Sequence, residues 1–122
     1  MMTANEIIRA LDGIRICAQP EEYAIHAEID RALTDAGIPH IHEYRIAPGR
    51  RIDFICGRIG IEVKKGRPQS ALLRRQAEKY LSSEQLDALI IVLQKPCYLP
   101  DTICGKPVYV VCLNRLWGVA LP

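Results

Sequence analysis

The segment from Leu86 to Leu93 is apolar but for Asp87, and it runs unbroken from Ala88 to Leu93. A polypeptide buries six such residues with least conformational cost as a central strand covered on both faces, because a half-exposed strand alternates apolar and polar positions. Pro96 ends the segment, and the turn Gly105-Lys106-Pro107 introduces a second strand over Val108 to Leu113. A sheet with a fully covered interior strand needs helices on its faces, and the rest of the sequence supplies them.

Apolar residues at Ile7, Ile8, Leu11 and Ile14 predict a first helix from Thr3 to Ile14, with Thr3 or Asn5 as its cap. A second begins at Pro20 with Glu21 and Glu22 in its first turn, buries Ile25, Ile29, Ala32, Leu33 and Ala36, and stops at Gly37 and Pro39. Three strands follow over His40 to Ile46, Arg51 to Cys56 and Ile59 to Lys64, as an antiparallel meander with turns at Pro48-Gly49 and Gly57 to Gly60. A third helix uses Ser70 as its cap, carries Ala71, Leu72, Gln76, Tyr80 and Leu81, and ends near Ser82-Ser83. The expected architecture is α/β in the broad sense (α+β): a mixed sheet of about five strands flanked by helices in the order ααβββαββ. The 122 residues read as one domain, with no repeat, linker or low-complexity tract.

No apolar run has the length of a membrane helix, and the first ten residues include Glu6 and no long apolar core, so a cytoplasmic protein without membrane segments is expected. Five scattered cysteines, Cys17, Cys56, Cys97, Cys104 and Cys112, then read as free thiols. Charge is unevenly distributed. The net charge is +2, yet Arg45 to Lys79 holds ten bases and three acids, a balance of +7 that leaves −5 for the remainder. Such a concentration of positive charge suits an anionic polymer.

Within that stretch lie Asp53, Glu62 and Lys64. Alternation along a strand puts Glu62 and Lys64 on one face, and antiparallel pairing through the Gly57 to Gly60 turn brings Asp53 beside Glu62. Two adjacent carboxylates repel unless a proton or cation lies between them, and hard oxygen donors suit Mg²⁺ or Mn²⁺. A lysine at such a site can orient an attacking water and stabilise charge on a phosphoryl oxygen.

In these residues the sequence resembles the PD-(D/E)XK nuclease superfamily, whose core has the restriction-endonuclease-like fold. The matching text is Arg51-Ile52-Asp53-Phe54 followed by Ile61-Glu62-Val63-Lys64, with Ile52 where the family has its leading proline. The resemblance covers about residues 20–93. It implies that Asp53 and Glu62 hold the metal with the Val63 carbonyl, that Lys64 is the catalytic lysine, and that Gln76 and Tyr80 match the Q-x-x-x-Y pattern of RecB-type members. A glutamate from the first core helix also reaches the metal in many members; Glu28 is the candidate, with Glu21 as the alternative. Small stand-alone members, among them archaeal-type Holliday junction resolvases and phage or RecB-like nucleases, are the nearest in character.

The expected activity is therefore metal-dependent hydrolysis of DNA, directed by structure or strand ends rather than by sequence, with Arg50, Arg51, Lys65, Arg67, Arg74, Arg75 and Lys79 as phosphate contacts. A homodimer would present two such sites. The alternative is a catalytically inactive nucleic-acid-binding or assembly module on the same fold. The six- and seven-residue gaps among Cys97, Cys104 and Cys112 do not suit an iron-sulfur cluster, so none is expected. His40 and His42 share a strand face without a Cys or acid partner for Zn²⁺, and Tyr44 and Tyr98 are read as core or rim residues before base-stacking ones.

Overall fold

The computed structural model describes residues 3–14 and 21–113. Pro20, Cys17 and Trp117 lie outside the described residues. Among the described residues the fold is α+β: three helices, α1 (Ala4–Leu11), α2 (Glu22–Asp35) and α3 (Ser70–Leu81), and six strands, β1 (Ile41–Ala47), β2 (Arg50–Cys56), β3 (Ile59–Lys64), β4 (Ala88–Leu93), β5 (Thr102–Ile103) and β6 (Lys106–Cys112). They form one mixed sheet in the order β1-β2-β3-β4-β6-β5. The meander β1-β2-β3 is antiparallel, while β3 to β4 and β4 to β6 pair in parallel. The sixth strand beyond the expected five is β5, two residues hairpinned onto β6 through Cys104 and Gly105, both at positive φ.

All six residues of β4 are buried, as the apolar run requires. One face of the sheet, through Phe54, Ile61, Val63, Ile90 and Val92, packs on α1 and α2. The other, through Ile52, Ile55, Leu89, Ile91 and Leu93, packs on α3. Thr3 caps α1, its Oγ1 accepting from the Glu6 amide at 3.2 Å. In α2 the buried stripe is Ile25, Ile29 and Leu33, whereas Ala36 caps the helix and is exposed.

In α3 the phase differs from expectation. Leu73, Ala77, Tyr80 and Leu81 are buried, and Leu72 is 53% exposed with Ala71 beside it at the surface. Two adjacent leucines leave the phase open, and the sheet selects Leu73 because only the 73-77-80-81 face lies flat on Ile52 and Leu89. Ser70 is the first helical residue rather than the cap, which is Gln69.

Two departures from regular geometry shape β1 to β3. Glu43 has φ of 55°, uncommon for a side chain bearing a Cβ, and it lies on β1 between pairs His42↔Phe54 and Tyr44↔Ile52. Strand alternation breaks there: His42 stacks on Phe54 on the α2 side, while Tyr44 packs with the α3-side core. On β3, a Cβ at Gly60 would come within 2.4 Å of Ile52 Cδ1 and 3.0 Å of Leu86 Cδ1, so glycine lets these side chains cross the strand. Gly60→Ala should therefore cost about 1–3 kcal/mol by overpacking. Adding Ile52→Val, which deletes the clashing methyl, should recover part of that loss in chemical denaturation, although alone it destabilises by about 1 kcal/mol.

Candidate active site

The β2/β3 ladder is regular from Cys56↔Ile59 to Phe54↔Ile61. At the next pair the backbone bonds give way to side-chain ones. The Asp53 amide donates to Glu62 Oε1 at 3.2 Å, and the Val63 amide donates to Asp53 Oδ2 at 2.8 Å. Each carboxylate thus satisfies a backbone donor of the opposing strand, and both groups are held where the strands part.

Glu62 faces α3. Its Oε2 accepts from Gln76 Nε2 at 3.1 Å and lies 3.4 Å from Lys64 Nζ, two residues along the same strand face. Gln76 also donates to the Tyr80 hydroxyl at 3.3 Å, and that hydroxyl donates to the Arg51 carbonyl at 2.8 Å. Tyr80 consequently ties α3 to β2 beside Asp53. Burial, followed by the Glu62 carboxylate, raises the Tyr80 phenol well above its ordinary range, so it remains a proton donor. The geometry brings together Asp53, Glu62, Lys64, Gln76 and Tyr80.

Glu62 is 5% exposed. Burial first, then the Asp53 carboxylate, pushes its carboxyl from 4.5 up to about 7, against the opposing pull of Lys64. A carboxylate so placed favours a proton or a cation beside it. Asp53 stands at the junction of the two layers, and on its α2 side His26 Nε2 lies 3.7 Å from Oδ2. That nitrogen is buried without a hydrogen-bond partner, whereas His26 Nδ1 is 2.8 Å from His42 Nε2. The buried orphaned nitrogen faces Asp53, and the Asp53 and Glu62 carboxylates meet where the strands part, an oxygen pair of the kind that suits a hard divalent cation. No group of three or more His, Cys, Asp or Glu side chains that could hold a metal ion is present among the described residues.

Glu28 is not brought to this cluster. It pairs with Arg31 and lines a groove with Ala10 and Gly13 beside α1. Glu21 precedes α2 and is exposed. The α2 side chain at the carboxylates is His26, on the opposite flank of the buried Ile25-Ile29 stripe from Glu28. Helical spacing treats the two flanks alike, and only the position of β2 distinguishes them. All three histidines cluster on Phe54, with ring centroids 4.6 Å away for His42, 5.5 Å for His26 and 6.2 Å for His40. His40 also bonds Asp30 at 2.7 Å and the Ile38 carbonyl at 2.8 Å.

Of the basic residues, Arg50, Arg51, Arg75 and Lys79 line one groove of about 640 Å³ with Gln76 and Tyr80. Arg74 lies 3.9 Å from Glu78, and Lys65 and Arg67 are exposed on the loop between β3 and α3. Cys56, Cys97, Cys104 and Cys112 are free thiols. Burial pushes the Cys56 thiol up to about 12, which makes it unreactive. Tyr44 donates to Gln85 at 2.6 Å, and Tyr98 is exposed. No helix among the described residues is long and apolar enough to cross a membrane. Comparison with protein-family models, with curated proteins and with solved structures finds no match to this chain.

The raised Glu62 carboxyl makes stability depend on pH. Between the ordinary carboxyl value of 4.5 and about 7, the folded chain retains a proton that the unfolded chain releases. Stability should therefore fall as pH rises through that window. Glu62→Gln should remove this slope and exceed wild type above the window by on the order of 2 kcal/mol, measured by urea unfolding in EDTA across the pH range. Tyr80→Phe should cost about 1–2 kcal/mol at all pH values, because it leaves the Arg51 carbonyl without its donor.

Proposed function

We propose that this chain is a metal-dependent nuclease of the PD-(D/E)XK type, with a restriction-endonuclease-like core, that hydrolyses phosphodiester bonds in DNA in the cytoplasm. The observation that carries the reading is the meeting of Asp53, Glu62 and Lys64 where β2 and β3 part, with Lys64 Nζ 3.4 Å from Glu62. Asp53 and Glu62 would hold Mg²⁺ or Mn²⁺, with the Val63 carbonyl as a further donor. When bound, the cation would act as a Lewis acid on the phosphoryl oxygen. Lys64 orients the attacking water and offers its ammonium to charge developing on the phosphate. Gln76 and Tyr80 fix the Glu62 carboxylate and tie it to the Arg51 backbone, so the reacting groups sit on rigid elements. The cationic groove beside them, with Arg50, Arg75 and Lys79, supplies phosphate contacts.

One feature favours a second reading, an inactive nucleic-acid-binding module. Both Glu62 oxygens already have internal partners, Asp53 N on one and Gln76 with Lys64 on the other. Labelled single-stranded, duplex, flapped and four-way-junction DNAs incubated with Mg²⁺, Mn²⁺ or EDTA separate the two. Metal-dependent cleavage, lowered at least about 100-fold in both Lys64→Ala and Asp53→Ala, is the expected result. Salt-sensitive binding with no cleavage under any metal would establish the silent module instead.

A further inference from the structure

Two grooves of opposite charge flank the site: Gln76, which holds Glu62, lines one, and Asp53 lines the other. On the α3 side, the groove of about 640 Å³ that includes Gln76 and Tyr80 is lined by four cations, Arg50, Arg51, Arg75 and Lys79, and by no carboxylate. On the α2 side, the cleft of about 560 Å³ that includes Asp53 is also lined by Glu22, Asp30 and Glu43, with His26 and His42 as its only basic groups and no lysine or arginine. The boundary is marked by an ion pair, Arg51 to Glu43 at 3.1 Å. Asp30 is paired with His40, which leaves Glu22 without a cation on that wall. Phosphates lie along every nucleotide, so a strand that ran from the α3 groove past Asp53 into the α2 cleft would carry its charge from a cationic wall to an anionic one. Over the Debye length of about 8 Å at physiological salt, the two walls act on neighbouring phosphates with opposite sign.

From this we infer that the substrate is a DNA strand with a free end: the strand enters along the α3 groove and terminates at or just past Asp53 and Glu62. The inference rests on the nuclease reading and adds its direction of engagement. The chain is then an end-directed enzyme that removes short pieces, and a closed strand is a poor substrate because its continuation must bend away from the α2 cleft or enter it. Glu22 and Glu43 act as a barrier to the strand and take no part in the chemistry.

The test compares a linear single strand with the closed circle of the same length and sequence, by cleavage in Mg²⁺ and Mn²⁺ and by fluorescence anisotropy in EDTA. The linear strand should be cut faster than the circle by about tenfold or more, with short products from one end, and should bind about fivefold more tightly without metal. Glu22→Gln should raise circle cleavage severalfold and leave cleavage of the linear strand unchanged. A circle cut as fast as the linear strand would overturn the inference while the nuclease reading stood. If neither DNA is cut in any metal, the nuclease reading falls and end-directed cleavage falls with it; the binding comparison then tests only the entry of a free end along the α3 groove, which equal affinity overturns.

Discussion

A carboxylate buried in the layer between sheet and helix is the constraint around which this molecule is arranged. Glu62 is a charged side chain among apolar neighbours, and removing its water would be prohibitive without partners. The partners come from three directions: a backbone amide of β2, a glutamine of α3 and a lysine of its own strand. Each fixes something larger than itself. The amide ends the ladder where the strands part, the glutamine ties α3 to the carboxylate in the rotation its apolar face selects, and Lys64 becomes a cation held on the same face. An apolar residue at position 62 would pack without these demands, so the arrangement gains stability little and specificity of geometry a great deal.

Much of the fold was legible because its signals are periodic. The β4 segment announced an interior strand, and the Gly57 to Gly60 turn set the β2/β3 register that places Asp53 opposite Glu62. Composition alone could not choose between Leu72 and Leu73 for the core, since both satisfy helical spacing and the sheet decides. The two-residue β5 is too short to leave any pattern.

The carboxylates and Lys64 could be read as a group because their spacings are local, two residues along a strand and nine across a hairpin, whereas Gln76 and Tyr80 were joined to them only by the resemblance to the Q-x-x-x-Y pattern. His26 could not. Its approach to Asp53 depends on which flank of α2 leans over β2, a matter of packing between distant elements, and the family resemblance pointed to Glu28, with Glu21 as the alternative, instead. The reversal of strand faces at Glu43 was equally hidden, because no turn residue marks it and strict alternation would have put His42 and Tyr44 together.

The separations along the chain also order the events of folding. Asp53 and Glu62 are nine residues apart and meet when a tight hairpin closes, whereas Tyr80 reaches the Arg51 carbonyl across twenty-nine and must wait for α3 to dock. Loop closure is slower and costs more entropy for the longer span. The two acids therefore come together first, in a hairpin still open to water that can hydrate their charge. Docking of α3 then strips that water and supplies Gln76 and Tyr80 in the same step. The chain meets the cost of burying Glu62 only when the groups that offset it arrive, so the site and the core reach completion as one cooperative event.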